Sequence, residues 1–241
     1  MTLGAPPVLV VSGTGTEVGK TVVTAAVAAL ALARGERVAV VKPAQTGEPP
    51  GSTGDLEVIR RLSGVTRTAE LARFPDPLSP EAAARTADQP PLDLAEVAVV
   101  VKQLAASADL VLVEGAGGLL VRYDPAGATI ADLAAMLAAP VLVVVSAGLG
   151  TLNHTALTLE ALSARRLLPA GVVIGSWPSR PGLAERASLT DLAVIAGRPL
   201  AGALPAGAGR LGRDAFLAAA RTGLGPELGG TFDAQNNVIP D

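Results

Sequence analysis

The chain has 241 residues, enough for one sizeable α/β domain. It is 49% hydrophobic with only 2% aromatics and a formal net charge of −3, so Ala, Val and Leu must build the core. No basic run offers the positive face that nucleic acid requires. The absence of cysteine excludes a thiol nucleophile, iron–sulfur ligation and disulfides, and a single histidine excludes a multi-histidine metal site.

Residues 1–7 lack the charged and apolar regions of a signal peptide, and no apolar run reaches the roughly 18–20 residues that span a bilayer. A cytoplasmic protein with no nucleic-acid or membrane partner is therefore expected. The first element is the most informative. Residues 8–21, VLVVSGTGTEVGKT, run from an apolar strand (8–12) through a Gly/Thr-rich turn into Gly19-Lys20-Thr21. Backbone N–H groups of such a turn and the following helix N-terminus attract phosphate oxygens. Lys20 is placed to reach the outer phosphates and Thr21 to ligate Mg2+. The motif is a variant P-loop: Thr14 stands where the usual pattern has Gly, and counted from Gly13 the loop is one residue longer. Val22, Val23, Ala26, Val27 and Leu30 recur at helical spacing, and Gly35 marks a stop.

A second strand (37–42) ends in Lys42-Pro43-Ala44-Gln45-Thr46-Gly47. Lys42 is either a second positive charge for the phosphates or a solvated lysine before a turn. Residues 49–54 and 75–80 read as surface loops; Asp55, just before a helix, suits both an N-cap and a Mg2+ ligand. A helical face at Leu94, Val97, Val101 and Leu104 precedes a third strand (110–114) ending in Glu114-Gly115-Ala116-Gly117-Gly118. A carboxylate directly after four apolar residues is costly without a cation partner, and the acidic residue here in P-loop proteins coordinates Mg2+; a carboxylate merely facing solvent is the alternative.

Ile130, Leu133, Ala134 and Leu137 form another helical face before a fourth strand (141–146). The turn that follows, through Gly148 and Gly150, opens a helix (152–164) and suits an anion such as a carboxylate. His154 at this helix start reads as structural. Two more strands (171–175 and 200–204) follow, and the polar stretch from Gly225 to Asp241 reads as an appended tail after a single domain over 1–225. Strands apolar at every position are buried on both faces, so the expected fold is α/β: a doubly wound, mostly parallel sheet of P-loop NTPase type with helices on both faces.

These blocks in this order, GTGTEVGKT (13–21), KPAQTG (42–47), VEGAGGLL (113–120) and GLGTLNHT (148–155), resemble the dethiobiotin synthetases over essentially the whole chain to about residue 210. The resemblance implies a homodimeric ligase of biotin biosynthesis. It would close the ureido ring of dethiobiotin from 7,8-diaminononanoate, CO2 and ATP (or another nucleoside triphosphate) with Mg2+, through a carbamate and a carbamic–phosphoric anhydride. By the same resemblance, Lys42, Lys20 and Thr16 are the catalytic set, and Thr21, Asp55 and Glu114 hold the metal. Glu17, Val18, Gly19, Lys20, Thr21 and Val22 wrap the nucleotide, with Asp55, Glu114, Gly115, Ala116 and Gly117 beside it. Gly175, Ser176, Leu204, Pro205 and Ala206 border the base. Thr16, Thr46 and Gly118 contact the diamine, and Gly150, Thr151, Leu152 and Asn153 of the second subunit bind its carboxylate.

Two departures matter. Gly15 stands where relatives often carry Asp. Gly175-Ser176 replaces the Asn-Asp of many relatives, removing a side chain that reads adenine, so weaker discrimination among bases is expected. The competing reading is a switch ATPase of the partitioning or cargo-delivery type. Such proteins carry a lysine five residues before the invariant one, where this chain has Gly15. An amide-forming ligase of the cobyrinic acid type would need a glutaminase domain with a cysteine nucleophile.

Overall fold

The computed structural model describes residues 8–233. Seven strands form one sheet in the order β3-β2-β4-β1-β5-β6-β7, every neighbouring pair parallel. They are β1 (Val8–Gly13), β2 (Val38–Thr46), β3 (Arg67–Phe74), β4 (Leu110–Glu114), β5 (Val141–Val145), β6 (Pro169–Trp177) and β7 (Gly202–Pro205). Alternate residues of the central strands serve opposite faces: Val8, Val10, Val111, Val113, Val141, Val143 and Val145 enter one core, while Leu9, Val11, Leu110, Leu112, Leu142 and Val144 enter the other. Burial on both sides explains why these strands are apolar at every position.

Helices α1 (Lys20–Ala33), α2 (Asp55–Ser63) and α8 (Arg213–Gly223) cover one face, through residues such as Val27, Ile59 and Phe216. Helices α3 (Pro80–Thr86), α4 (Leu94–Ala105), α5 (Ile130–Met136), α6 (Thr151–Ala164) and α7 (Leu183–Ala196) cover the other, through Ala83, Val97, Leu133, Leu162 and Leu192. Among the described residues no helix is long and apolar enough to cross a membrane.

Four features differ from the sequence reading. β3 was not anticipated: it is an edge strand, half-buried along most of its length, and its charged Arg67, Glu70 and Arg73 give no apolar run. β2 does not stop at Lys42 but continues to Thr46, because beyond its last pair with β4 (Val41 with Val113) it still pairs with β3. The loop expected over 75–80 yields its last residue, Pro80, to the first turn of α3, where its fixed φ and missing N–H are tolerated. The chain after Gly225 does not begin as a loose appendage. The Gly225 N–H donates to Ala201 O and the Phe232 N–H to Leu224 O, both at 2.8 Å; Leu228 and Phe232 are buried, and Leu224 bridges antiparallel to Gly202 on the far side of β7. Residues 234–241 of the expected tail lie outside the described residues.

Candidate active site

Between β1 and α1 the chain makes the turn that the P-loop reading requires. Glu17 (φ 60°) and Gly19 (φ 96°) adopt left-handed conformations, and the Thr14 N–H donates to Val144 O at 3.0 Å, anchoring the loop on β5. Successive N–H groups of such a turn form a concave anion cradle. The turn is wedged against β6. A Cβ at Gly175 would lie 2.1 Å from the Val18 carbonyl oxygen, and one at Gly19 would lie 2.7 Å from the Gly175 oxygen. Gly175 is therefore where the loop backbone rests on the sheet, so its lack of a side chain is a steric requirement.

The opposite side of the P-loop opens into a cavity of roughly 750 Å³ over the carboxyl ends of β1, β2 and β4. Lys42 is almost wholly buried at its floor. Its Nζ lies 2.5 Å from Asp55 Oδ2 and 2.9 Å from Glu114 Oε1, with Gly115 O at 3.4 Å. The Thr21 hydroxyl donates to the same Glu114 Oε1 at 3.0 Å. Burial pulls the Lys42 pKa down, but the Glu114 and Asp55 carboxylates outweigh it and hold the group above the ordinary lysine value. Asp55 is shifted the other way: burial would raise its pKa, and Lys42 brings it below the usual carboxylate value. Lys20 donates to its own loop at Gly15 O, 2.7 Å away, and its pKa is lowered to about 8, first by burial and then by the charge of Lys42.

The donor set fits Mg2+. Thr21 offers a hydroxyl and Asp55 and Glu114 offer carboxylates, all hard oxygens, and Glu114 Oε2 is buried without a hydrogen-bond partner among the described residues. Bound there, Mg2+ would meet only hard oxygen donors, the ligand type it prefers.

Of the residues picked from sequence, Thr16, Glu17, Gly19, Lys20, Thr21, Lys42, Thr46, Asp55, Glu114, Ala116 and Gly117 line this cavity. Gly115 and Gly118 sit behind the wall: the Gly115 N–H donates to Val11 O, and Gly118 lies against the backbone of Gly13 and Thr14. Val18 and Val22 turn toward Gly13 and Gly209. Gly175, Ser176, Leu204, Pro205 and Ala206 lie on the other side of the P-loop, where the Ala206 N–H donates to Trp177 O at 2.6 Å. Gly150, Thr151, Leu152 and Asn153 do not reach the cavity of their own chain; they form the first turn of α6, with Gly150 and Asn153 exposed. His154 is exposed on that same turn, and the cavity lining does not include it.

Sequence reasoning missed part of the wall. Pro77, Leu78, Ser79 and Pro80 close the outer side with Val121, and Gln45 and Glu48 follow Lys42 along β2 and into its loop. The only hint was the proline density of 75–80. Tyr123, the chain's single tyrosine, is wholly buried, and its hydroxyl accepts the Ala116 N–H at 2.8 Å, fixing the turn after Glu114.

A family model described as an AAA domain matches residues 8–208. The ATP-dependent dethiobiotin synthetase of Frankia casuarinae is 64% identical over 227 residues, spanning 94% of this chain and 95% of its own. That of Streptomyces coelicolor is 59% identical, spanning 95% of this chain and 96% of its own. The chain belongs to the ATP-dependent dethiobiotin synthetase family. Solved structures similar to this synthetase fold include a ParA-family ATPase from Chlorobium tepidum (TM-score 0.55, 16% identity, 93% of this chain and 96% of that one). Another is the septum site-determining protein MinD with Mg-ADP from Pyrococcus horikoshii (TM-score 0.53, 18% identity, 88% and 85%). At these identities the likeness is one of fold. At the position where the switch-ATPase reading asks for a lysine, Gly15 instead turns its carbonyl to Lys20.

With its pKa near 8, Lys20 loses its charge above that pH in the free protein. A triphosphate favours the charged ammonium, so binding takes up protons there and affinity falls as pH rises past 8. Calorimetry at about pH 8.5 in buffers of different ionisation enthalpy is expected to give an uptake of about half a proton or more, lost in Lys20→Met.

Proposed function

We propose that this cavity performs the ring closure of its family, making dethiobiotin from 7,8-diaminononanoate, CO2 and ATP. The enzyme is an ATP-dependent ligase that forms carbon–nitrogen bonds. The observation that carries the assignment of roles is the convergence of Lys20, Lys42, Thr21, Asp55 and Glu114 at the P-loop edge of one cavity.

The chemistry asks little of the protein beyond placement and charge. One substrate amine adds to CO2 and loses a proton, giving a carbamate. A carbamate oxygen attacks the γ-phosphorus and the nucleoside diphosphate departs with the bonding pair. The second amine then attacks the carbonyl carbon of the mixed anhydride, loses its proton and expels phosphate, closing the cyclic urea. Lys20 and the loop from Glu17 to Val22 hold the phosphates, and Lys42 faces the carbamate and the transferring phosphoryl group. Thr16 and Thr46, with the backbone around Gly117 and Gly118, orient the diamine. Such a catalyst works by positioning and by neutralising charge. Thr21, Asp55 and Glu114 would hold Mg2+, which would supply charge neutralisation on the phosphates.

The segment Gly150, Thr151, Leu152 and Asn153 would serve the partner's cavity in a homodimer. It is a helix N-terminus, suited to a carboxylate, and it lies outside its own cavity, with Gly150 and Asn153 exposed beside the exposed Leu149 and Thr151 buried. A cytoplasmic location and a base site bordered by Gly175, Ser176, Leu204, Pro205 and Ala206 complete the reading. With Gly175 offering only backbone, the base is held with little regard to its edge.

Incubation with diaminononanoate, bicarbonate, Mg2+ and ATP is expected to yield the cyclic urea by mass spectrometry. Lys42→Ala, folded by circular dichroism, should lose about a hundredfold or more in turnover; retention of most activity would remove Lys42 from its role. In competition assays ATP should be preferred over CTP and GTP by less than about a hundredfold, the range that weak base contacts allow. Asn153→Ala should raise KM for the diamine several-fold with nucleotide affinity unchanged, and sedimentation should give a dimer; a fully active monomer would contradict the shared site.

A further inference from the structure

We propose that Gln45 is a positioning residue that sets Asp55, and through it the metal site, from strand β2. The inference rests on the reading of Asp55 as a metal ligand. Helix α2 begins at Asp55, and its N-cap is Gly54, which has no side chain to accept a first-turn N–H. Two other side chains do the capping. Glu57 Oε2 accepts the Gly54 N–H and Gln45 Oε1 accepts the Asp55 N–H, each at 2.9 Å. The other end of the Gln45 amide donates to Thr46 O at 3.2 Å, so both ends of this buried group are committed and its orientation is fixed by its partners.

Gly54 is small for the same reason. A Cβ there would lie 2.9 Å from Gln45 Oε1 and 2.7 Å from Arg73 Nη2. Arg73 is the β3 partner of Gln45 in the sheet register, so the glutamine sits on a strand segment that is itself paired. The consequence concerns geometry across the site. Lys42 and Gln45 lie three residues apart on one strand, whereas Asp55 reaches that strand through an eight-residue loop, 47–54, with left-handed glycines at Gly47 and Gly51. Leu56, Ile59 and Leu62 seat the body of α2 in the core and Arg73 holds the loop at Ser52 O, while the first residue of the helix is held by Gln45. The Gln45 bond ties the Asp55 backbone directly to the strand that carries Lys42, and so sets the 2.5 Å contact between Lys42 Nζ and Asp55 Oδ2. Partners that orient a ligating carboxylate affect metal affinity by about 10–100-fold when removed.

The test uses Mn2+ as the probe, titrated by electron paramagnetic resonance into the full-length protein with a non-hydrolysable ATP analogue. Asp55→Asn is the reference and should weaken Mn2+ binding. Gln45→Met, close in size but without the acceptor, should raise the Mn2+ dissociation constant about tenfold or more, while Gln45→Glu, which keeps an acceptor oxygen, should stay within about threefold of the wild type. If Asp55→Asn leaves Mn2+ binding unchanged, the metal reading itself fails. If Asp55→Asn weakens binding and Gln45→Met does not, only the role of Gln45 is overturned; equal loss in Gln45→Met and Gln45→Glu overturns it too, since packing alone would explain that. Should Gln45→Met not fold, amide hydrogen exchange in the wild type decides. The Asp55 N–H, an otherwise orphaned helix-start donor, is expected to be protected, and free exchange there overturns the proposal.

Discussion

A buried ammonium bridging two carboxylates is the interaction on which the site depends. Glu114 ends a strand that is buried on both faces, and its side chain has no exposure at all. An isolated carboxylate there would be too costly to keep ionised, and a lysine as deeply buried as Lys42 would surrender its proton. Each makes the other tolerable, and Asp55 completes the balance. Lys20, buried beside this cluster, adds a second positive charge at the P-loop edge of the cavity. Removing one partner of such a buried cluster typically costs about 3–5 kcal/mol, which ties the chemistry of the site to the stability of the sheet's centre.

The sheet order makes this meeting possible. β4 lies between β1 and β2, so the strand carrying Glu114 is flanked by the one that launches the P-loop and the one that carries Lys42. β4 pairs with β2 only as far as Val113 with Val41, and it is just beyond that point that Lys42 meets Glu114. On the far side of β1 the P-loop leans on β5 and β6 through the Thr14–Val144 hydrogen bond and the glycine contact at Gly175. The loop is thus fixed between two unlike surroundings: a charged cavity toward β2, and a ridge of small residues toward β7.

Much of this was legible in the amino acids because doubly buried strands announce themselves. The strands around Val10, Leu112 and Val143 read as unbroken apolar runs, and the polar residues ending each run, with the P-loop between, pointed to one edge of one sheet. Glu114 stood out because its position is costly without a cation, and that cation is Lys42. What stayed hidden depends on neighbours rather than composition. β3 is an edge strand of mixed polarity, and without it the continuation of β2 to Thr46 has no visible cause. Gln45 looks like any polar residue in a turn until the strand places it beneath the start of α2. Gly175 looked like a missing contact, whereas space shows it to be a seat for the P-loop.

The two borders of the sheet are finished differently. Beyond β7 the chain returns, bridging Leu224 to Gly202 and seating Gly225 and Phe232 over the strand's outer side. The β3 border is instead studded with Arg67, Glu70 and Arg73, which are tied into ion pairs and side-chain hydrogen bonds. An open row of backbone donors and acceptors is a template for adding a foreign strand, and cover or charge is what suppresses it. A seven-stranded parallel layer this rich in valine would otherwise be prone to stacking end on end into fibrils. Residues 224–232 therefore serve as a hem along the outer side of β7.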